Sequence, residues 1–329
     1  MGALVDSFGR VHTDLRVSLT DRCNLRCTYC MPAEGLEWLP APELLSDDEL
    51  VRVIGVAVRD LGITEIRLTG GEPLLRRGLV DLVRRLAALT PRPGLSMTTN
   101  GIGLAKMVAD LAAAGLDRVN VSLDTLDRQT FVDLARRDRL DDVLAGLDGA
   151  REFGLVPVKV NTVLMRGIND HEALDLLHYC LDRGFALRFI EQMPLDAQHG
   201  WDRSIMVTAD EIMTRLTSVH ELEPVGQRGS SPAEEFLVDG GPATVGIIAS
   251  VSRPFCGACD RVRLTADGQI RNCLFAREES DLRSALRGGA DDADIAERIR
   301  TSIAGKRAGH GIDDPTFLQP DRPMSAIGG

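Results

Sequence analysis

Six short stretches of the chain alternate apolar and polar residues with period two: LRVSL (15–19), EIRLT (65–69), LSMTT (95–99), RVNVS (118–122), VKVNTV (158–163) and LRFIE (187–191). Such alternation predicts strands. Between most of them the apolar positions recur at the spacing of a helix. The best helical segment begins at Ser46, where SDDE has the form of a capping box. Leu50, Val53, Ile54, Ala57, Val58 and Leu61 then share one face, and Gly62 supplies a C-terminal stop. Repeated strand–helix units predict an α/β fold with a parallel sheet, open or curled toward a barrel. Six units are fewer than the eight of a closed barrel.

Strand side chains alternate between faces. Leu15, Val17, Leu19, Ile66, Leu68, Leu95, Met97, Val119, Val121, Val158, Val160, Leu187 and Phe189 fall on the faces that must meet the helices. The opposite faces carry Arg16, Ser18, Arg67, Thr69, Ser96, Thr98, Asn120, Ser122, Lys159, Asn161 and Arg188. A filled barrel would show Val, Ile and Leu there instead. The pattern therefore predicts an open lumen made cationic by Arg16, Arg67, Lys159 and Arg188. Like charges are costly to bury together without an anion among them, so a polyanionic substrate such as a triphosphate is expected. The plainer alternative pairs these cations with Glu72, Asp124 and Glu191 in a solvated interior. A one-residue slip in register would invert the inference.

After Pro194 the pattern changes. EPVGQRGSSPAEE (223–235) reads as a loop, a charged helix follows residue 273, and residues 305–329 are rich in Gly and Pro, which predicts a loosely ordered tail. The expected organisation is a partial barrel over 1–194, a C-terminal region over 195–304 and a tail over 305–329. At 44% hydrophobic residues the chain can bury a sizeable core. Its net charge of −11 makes it a poor general binder of nucleic acid or anionic membrane, so a polyanion must be held by a local cluster of cations. No uncharged apolar run has the length of a membrane span. The start, MGALVDSFGR, lacks the basic and apolar regions of a signal peptide, and Asp6 breaks the myristoylation pattern. A cytoplasmic protein is expected, in which seven cysteines suggest metal ligation or catalysis rather than disulfides.

The cysteines form two groups. DRCNLRCTYCMP (21–32) places Cys23, Cys27 and Cys30 directly after the first strand, at the sheet edge where α/β proteins bind ligands. A structural zinc or a cluster held by protein alone wants four ligands, so three leave one position for another group. Thiolates suit iron–sulfur clusters, while zinc sites usually join two Cys pairs. CGACDRVRLTADGQIRNC (256–273) again gives three, Cys256, Cys259 and Cys273. It reads as a second open cluster or as zinc completed by a remote His or Asp. Arg261 and Arg263 alternate beside it, as a phosphate site or a solvated face. Cys180 lies in the amphipathic HEALDLLHYCLDRG and reads as a core thiol. TGGEP (69–73) follows the second strand, and its glycines allow close backbone approach, although a lone Gly-Gly is more often only a turn.

CNLRCTYC closely resembles the cluster loop of radical S-adenosylmethionine (SAM) enzymes. The wider set DLRVSLTDRCNLRCTYCMP, RLTGGEP, TTNG, VNVSLD, KVNTV, RFIEQMP, CGACDRVRLTADG and the terminal GG resembles the GTP 3′,8-cyclases of molybdenum cofactor biosynthesis over nearly the full chain. The resemblance implies an incomplete (β/α)6 barrel with a [4Fe–4S] cluster on Cys23, Cys27 and Cys30, whose fourth iron binds SAM. A C-terminal extension would carry a second [4Fe–4S] cluster on Cys256, Cys259 and Cys273, with GTP between the two. By the same resemblance Tyr29, Gly71, Ser122 and Met193 contact SAM, and Arg16, Arg67, Thr98, Lys159, Arg261, Val262 and Arg263 contact GTP. The implied chemistry needs no catalytic side chain. A 5′-deoxyadenosyl radical takes the ribose 3′ hydrogen, and C3′ attacks guanine C8 to give (8S)-3′,8-cyclo-7,8-dihydroguanosine 5′-triphosphate. Gly328 and Gly329 would reach into the site. An external electron donor and a downstream cyclic pyranopterin monophosphate synthase are the implied partners, and a homodimer is compatible. Two other expectations stand beside this one: a peptide-modifying radical SAM maturase with an auxiliary cluster, and an iron–sulfur electron carrier. Neither has a use for the cationic lumen.

Overall fold

All six alternating stretches are strands in this computed structural model, which describes residues 2–328. They are β1 (Asp14–Ser18), β2 (Glu65–Thr69), β3 (Gly94–Thr99), β4 (Arg118–Ser122), β5 (Lys159–Val163) and β6 (Ala186–Ile190). Each pairs in parallel with the next. Between them run α1 (Asp47–Leu61), α2 (Leu79–Ala87), α3 (Leu104–Ala114), α4 (Arg128–Ala135), α5 (Leu140–Glu152) and α6 (Ala173–Arg183). α1 starts where its sequence directs. The Ser46 hydroxyl accepts from Glu49 N at 3.2 Å, Glu49 Oε2 accepts from Ser46 N at 2.8 Å, and Gly62 ends the helix at φ 75°. The apolar strand faces meet the helices. Val17, Leu68, Met97, Val121, Val160 and Phe189 are fully buried, each contributing about 1.5–3 kcal/mol through removal from water.

The remaining elements are α7 (Ala209–Thr217), β7 (Leu222–Pro224), β8 (Glu234–Val238), β9 (Thr244–Ile248), β10 (Arg261–Leu264), β11 (Gln269–Arg271), β12 (Ser280–Asp281), α8 (Arg283–Arg287), α9 (Asp292–Ala304) and α10 (Met324–Ile327). They correct two expectations. The stretch 223–235 is a loop only over 225–233, because its ends belong to the β7–β8 hairpin. There Phe236 and Val238 are drawn into the core with Val245 and Ile247 of β9, and Pro224 is tolerated on an edge strand. The tail is not loose at its end. Ile327 is buried against Leu195 and Phe275, so a few apolar contacts override the Gly/Pro-rich composition. Gly329 lies outside the described residues.

β9 adds in parallel to β6, and β10 adds in parallel to β1. The sheet order is therefore β12-β11-β10-β1-β2-β3-β4-β5-β6-β9-β8-β7. Residues beyond 194 extend both edges of the six-stranded core. The register decides what faces the interior: Arg263 lies opposite Arg16, Arg16 opposite Arg67, and Arg67 opposite Ser96. One row across four strands thus carries three guanidinium groups.

Candidate active site

The first cysteine loop leaves the C-terminal end of β1 and is tied down on both sides. Arg26 N donates to Ala135 O at 3.0 Å and Thr28 N to Leu134 O at 2.9 Å, so the end of α4 shapes it. Gly71 N donates to Thr20 O and Glu72 N to Arg22 O, both at 2.7 Å. A Cβ at Gly71 would collide with the carbonyl oxygens of Asp21 and Arg22, so the glycine is required by the cysteine loop itself. Cys23, Cys27 and Cys30 line one cavity of about 170 Å³ with Tyr29, Gly71, Thr98, Ser122 and Asp124. All three are free thiols. Burial, helped by their mutual proximity, pushes Cys27 and Cys30 up, Cys30 to about 12. Three converging cysteine sulfurs are a soft donor set that fits a metal centre once the thiols are deprotonated.

The adjoining cavity, about 270 Å³, is lined by Arg16, Arg67, Arg188, Arg261 and Arg263 together with Cys256, Cys259 and Cys273. Tyr29, Thr98, Ser122, Asp124 and Met324 border both cavities. The polar strand faces therefore do point inward. Lys159, opposite Asn120 in the register, adds to the same field: burial and then Arg188 bring its ammonium down to about 8. Burial and then Arg67 and Arg263 hold Arg16 well below its ordinary value, and burial with Arg261 brings Arg263 down to about 10. Among the described residues, Arg16 Nε and Arg67 Nε are buried without a hydrogen-bond partner.

The carboxylates that could have neutralised this row are engaged elsewhere. Glu72 accepts from Leu74 N, Asn100 N and Thr99 Oγ1 at 2.7–3.0 Å. Glu191 accepts from the backbone of Ala209, Val251 and Ser252, each at 2.8 Å, and from the Ser252 hydroxyl. Asp124 accepts from Tyr29 OH at 2.7 Å and Val163 N at 2.9 Å. Burial raises Asp124 to about 6 and Glu72 to about 7 in spite of these donors. The nearer counter-charges are Glu235, which takes Arg188 at 2.8 Å, and Asp14, 3.9 Å from Arg67. Glu235 was not legible as a partner, since it arrives from β8 on the far edge of the sheet, whereas Asp14 shares the polar face of Arg16 two residues earlier in β1.

The second cysteine group is built by a turn at Cys256–Ala258, leading into β10, and by Cys273 just past β11. Burial alone would raise the Cys259 thiol, yet Arg261 and Lys306 beside it bring it down to about 7. Among the described residues no group of three His, Cys, Asp or Glu donors suits a single metal ion. Each cavity offers three soft sulfur donors, which fits a cluster with one iron open to a ligand. Val262 turns its side chain into the core at 1% exposure, leaving only its backbone for any contact. Met193 borders the larger cavity rather than the smaller and packs beside Leu195, Phe275 and Ile327. Cys180 is a buried core thiol, 1% exposed. The tail enters the site: Met324 and Ser325 line the first cavity together with Cys30, and Gly328 O accepts from Arg263 Nη1.

Comparison with known proteins agrees with this geometry. The family model described as the radical SAM superfamily matches residues 17–180, and that described as Molybdenum Cofactor Synthesis C matches residues 185–312. The chain is 66% identical over 328 residues to a GTP 3′,8-cyclase of Streptomyces coelicolor, covering 99% of this chain and 96% of that one. It is 63% identical over 329 residues to a GTP 3′,8-cyclase of Mycobacterium sp. strain KMS, covering 100% and 94%. Among solved structures, Streptococcus suis SuiB bound to S-adenosylmethionine superposes with a TM-score of 0.57 at 16% identity, over 88% of this chain and 68% of that one. That last likeness speaks for the fold alone.

Proposed function

The chain belongs to the GTP 3′,8-cyclase family of radical SAM enzymes, and from this premise we propose that its two cavities form one chamber for converting GTP to (8S)-3′,8-cyclo-7,8-dihydroguanosine 5′-triphosphate. This is the first step of molybdenum cofactor biosynthesis. The observation that carries the assignment of residues is the row Arg263, Arg16 and Arg67, set between two cysteine trios and short of counter-charge among the described residues.

In this proposal Cys23, Cys27 and Cys30 hold one [4Fe–4S] cluster, and Cys256, Cys259 and Cys273 hold the other. When bound, the first cluster with SAM supplies the radical that removes a ribose hydrogen, and the second supplies an open iron. The protein's own part is placement and exclusion of water. Arg16, Arg67, Lys159, Arg261 and Arg263 neutralise the triphosphate, and the Thr98 hydroxyl faces the same space. Tyr29, Gly71, Ser122 and Met193 border SAM, with the Tyr29 ring fixed by its bond to Asp124. The docked tail closes the wall near Met324 and Ser325. All these groups come from one chain, and a homodimer is compatible with that arrangement. The working context proposed is cytoplasmic, with an external electron donor and hand-off to cyclic pyranopterin monophosphate synthase.

The test is 5′-deoxyadenosine formation by reconstituted, dithionite-reduced protein with SAM under strict anaerobiosis, with GTP, ATP or no nucleotide. A rise with GTP alone is expected. Equal slow formation in all three would discard GTP as substrate. No cleavage with intact clusters would favour an electron carrier.

A further inference from the structure

Behind the second cysteine group lies a buried ionic network that substrate binding does not account for. Lys306, just past α9, is 4% exposed, and its Nζ has three acceptors. These are Arg261 O at 2.8 Å, Cys259 Sγ at 3.4 Å and His12 Nδ1 at 3.5 Å. An ammonium has three protons, so each acceptor takes one and the direction of the N–H toward sulfur is set.

The histidine that helps aim the lysine is itself oriented. His12 is fully buried, and its Nε2 lies 3.1 Å from Asp6 Oδ2, a carboxylate that also accepts from Arg10. Against an ionised Asp6, His12 presents Nε2–H, leaving the Nδ1 lone pair for Lys306. Arg10 then grips the loops on either side: its Nη1 donates to Cys256 O at 2.7 Å and Ala308 O at 3.0 Å, and its Nη2 to Arg307 O at 2.7 Å. Asp6, Arg10, His12 and Lys306 are all at most 9% exposed. A buried ammonium is unfavourable unless an anion faces it, and the anion available here is the Cys259 thiolate.

We propose that Lys306 is a positioning residue for the second cluster: held by His12 and the Arg261 carbonyl, it donates a charge-assisted N–H···S bond to Cys259 and raises the cluster's reduction potential. Reduction adds negative charge to the cluster, and a cationic donor on a ligand sulfur favours the more negative state. Lys306 does not line the substrate chamber, so its influence reaches the reaction through the cluster. The inference rests on the two-cluster assignment above.

The experiment is an EPR-monitored redox titration of the full-length, two-cluster protein, with the second cluster's signal assigned as the one missing from Cys273→Ser. Lys306→Met should lower the reduced-to-oxidised ratio of that cluster at least tenfold at fixed potential, a shift of ~59 mV for a one-electron couple. Lys306→Arg, which keeps a cation, should recover part of the shift. His12→Leu should shift the potential in the same direction by less. A fully loaded Lys306→Met protein titrating at the wild-type potential overturns the proposal. If that variant loads poorly, an unchanged potential in loaded His12→Leu overturns it instead. Failure of the two-cluster assignment would be seen separately, as undiminished iron content when Cys256, Cys259 and Cys273 are all replaced by Ser.

Discussion

At the scale of single residues, the chamber stores a cost that its ligand relieves. Arg67 is held among like charges with a loose 3.9 Å pairing to Asp14 and a buried Nε that has no hydrogen-bond partner among the described residues. Arg67→Met should therefore act with opposite signs on two observables. A hydrogen bond to a charged group contributes ~1.5–3 kcal/mol, so GTP affinity should fall about ten- to hundredfold. The nucleotide-free protein should gain resistance to urea, because a buried, poorly compensated cation has gone. Equilibrium binding and urea unfolding, with iron content as control, read both. Lys159 predicts a pH effect. Its ammonium titrates at about 8 in the free protein, against an ordinary 10.5. It is charged below about pH 8, so GTP affinity should weaken as pH rises through that value, and Lys159→Arg should flatten the profile. For stability the sign is reversed. The charged form is disfavoured only in the fold, so this group lowers stability below about pH 8 and ceases to do so between 8 and 10.5.

At the scale of elements, the cysteine loop and the tail are positioned by contacts far away in sequence. The tail's last helix is a single turn, and it docks through Ile327 on Leu195 and Phe275, through Met324 N on Leu195 O, and through Gly328 on Arg263. Gly328 has φ 86°, and a Cβ there would stand 2.8 Å from Thr69 Cγ2. Deleting Gly328 and Gly329 should abolish cyclisation while leaving both clusters in place, checked by product analysis alongside iron content and visible absorbance. Loss of cluster colour would instead make the tail a scaffold for the metal sites. Gly328→Val should weaken docking in the same way, for a steric reason.

At the scale of the whole molecule, the sheet joins the barrel and the C-terminal extension at two edges, and Glu191 reinforces one of them. Its carboxylate, fully buried at the end of β6, ties the start of α7 to residues 251–252. Glu191→Gln would set an amide N–H against backbone N–H donors. Leaving such groups unpaired costs about 1–3 kcal/mol each, so urea unfolding of the cluster-free protein should show a loss of at least that size. Retention of the second cluster should fall before that of the first, since residues 251–252 lead into Cys256.

What the sequence determined alone was local. Period-two alternation located all six core strands, placed Arg16, Arg67 and Arg188 inward, and set both cysteine trios beside strand ends, because side-chain direction and capping depend on neighbours a few residues apart. Tertiary structure alone decided which strands become neighbours across hundreds of residues. Only the register of β10 on β1 shows that Arg263 joins the row of Arg16 and Arg67. Only the long-range fold brings Glu235 to Arg188, closes a Gly/Pro-rich tail over the chamber, and sets His12 beside Lys306. No local spacing encodes those pairings. They follow from burying the sheet's one apolar face against the helices, which fixes strand order and register and so the polar partners that meet on the other face.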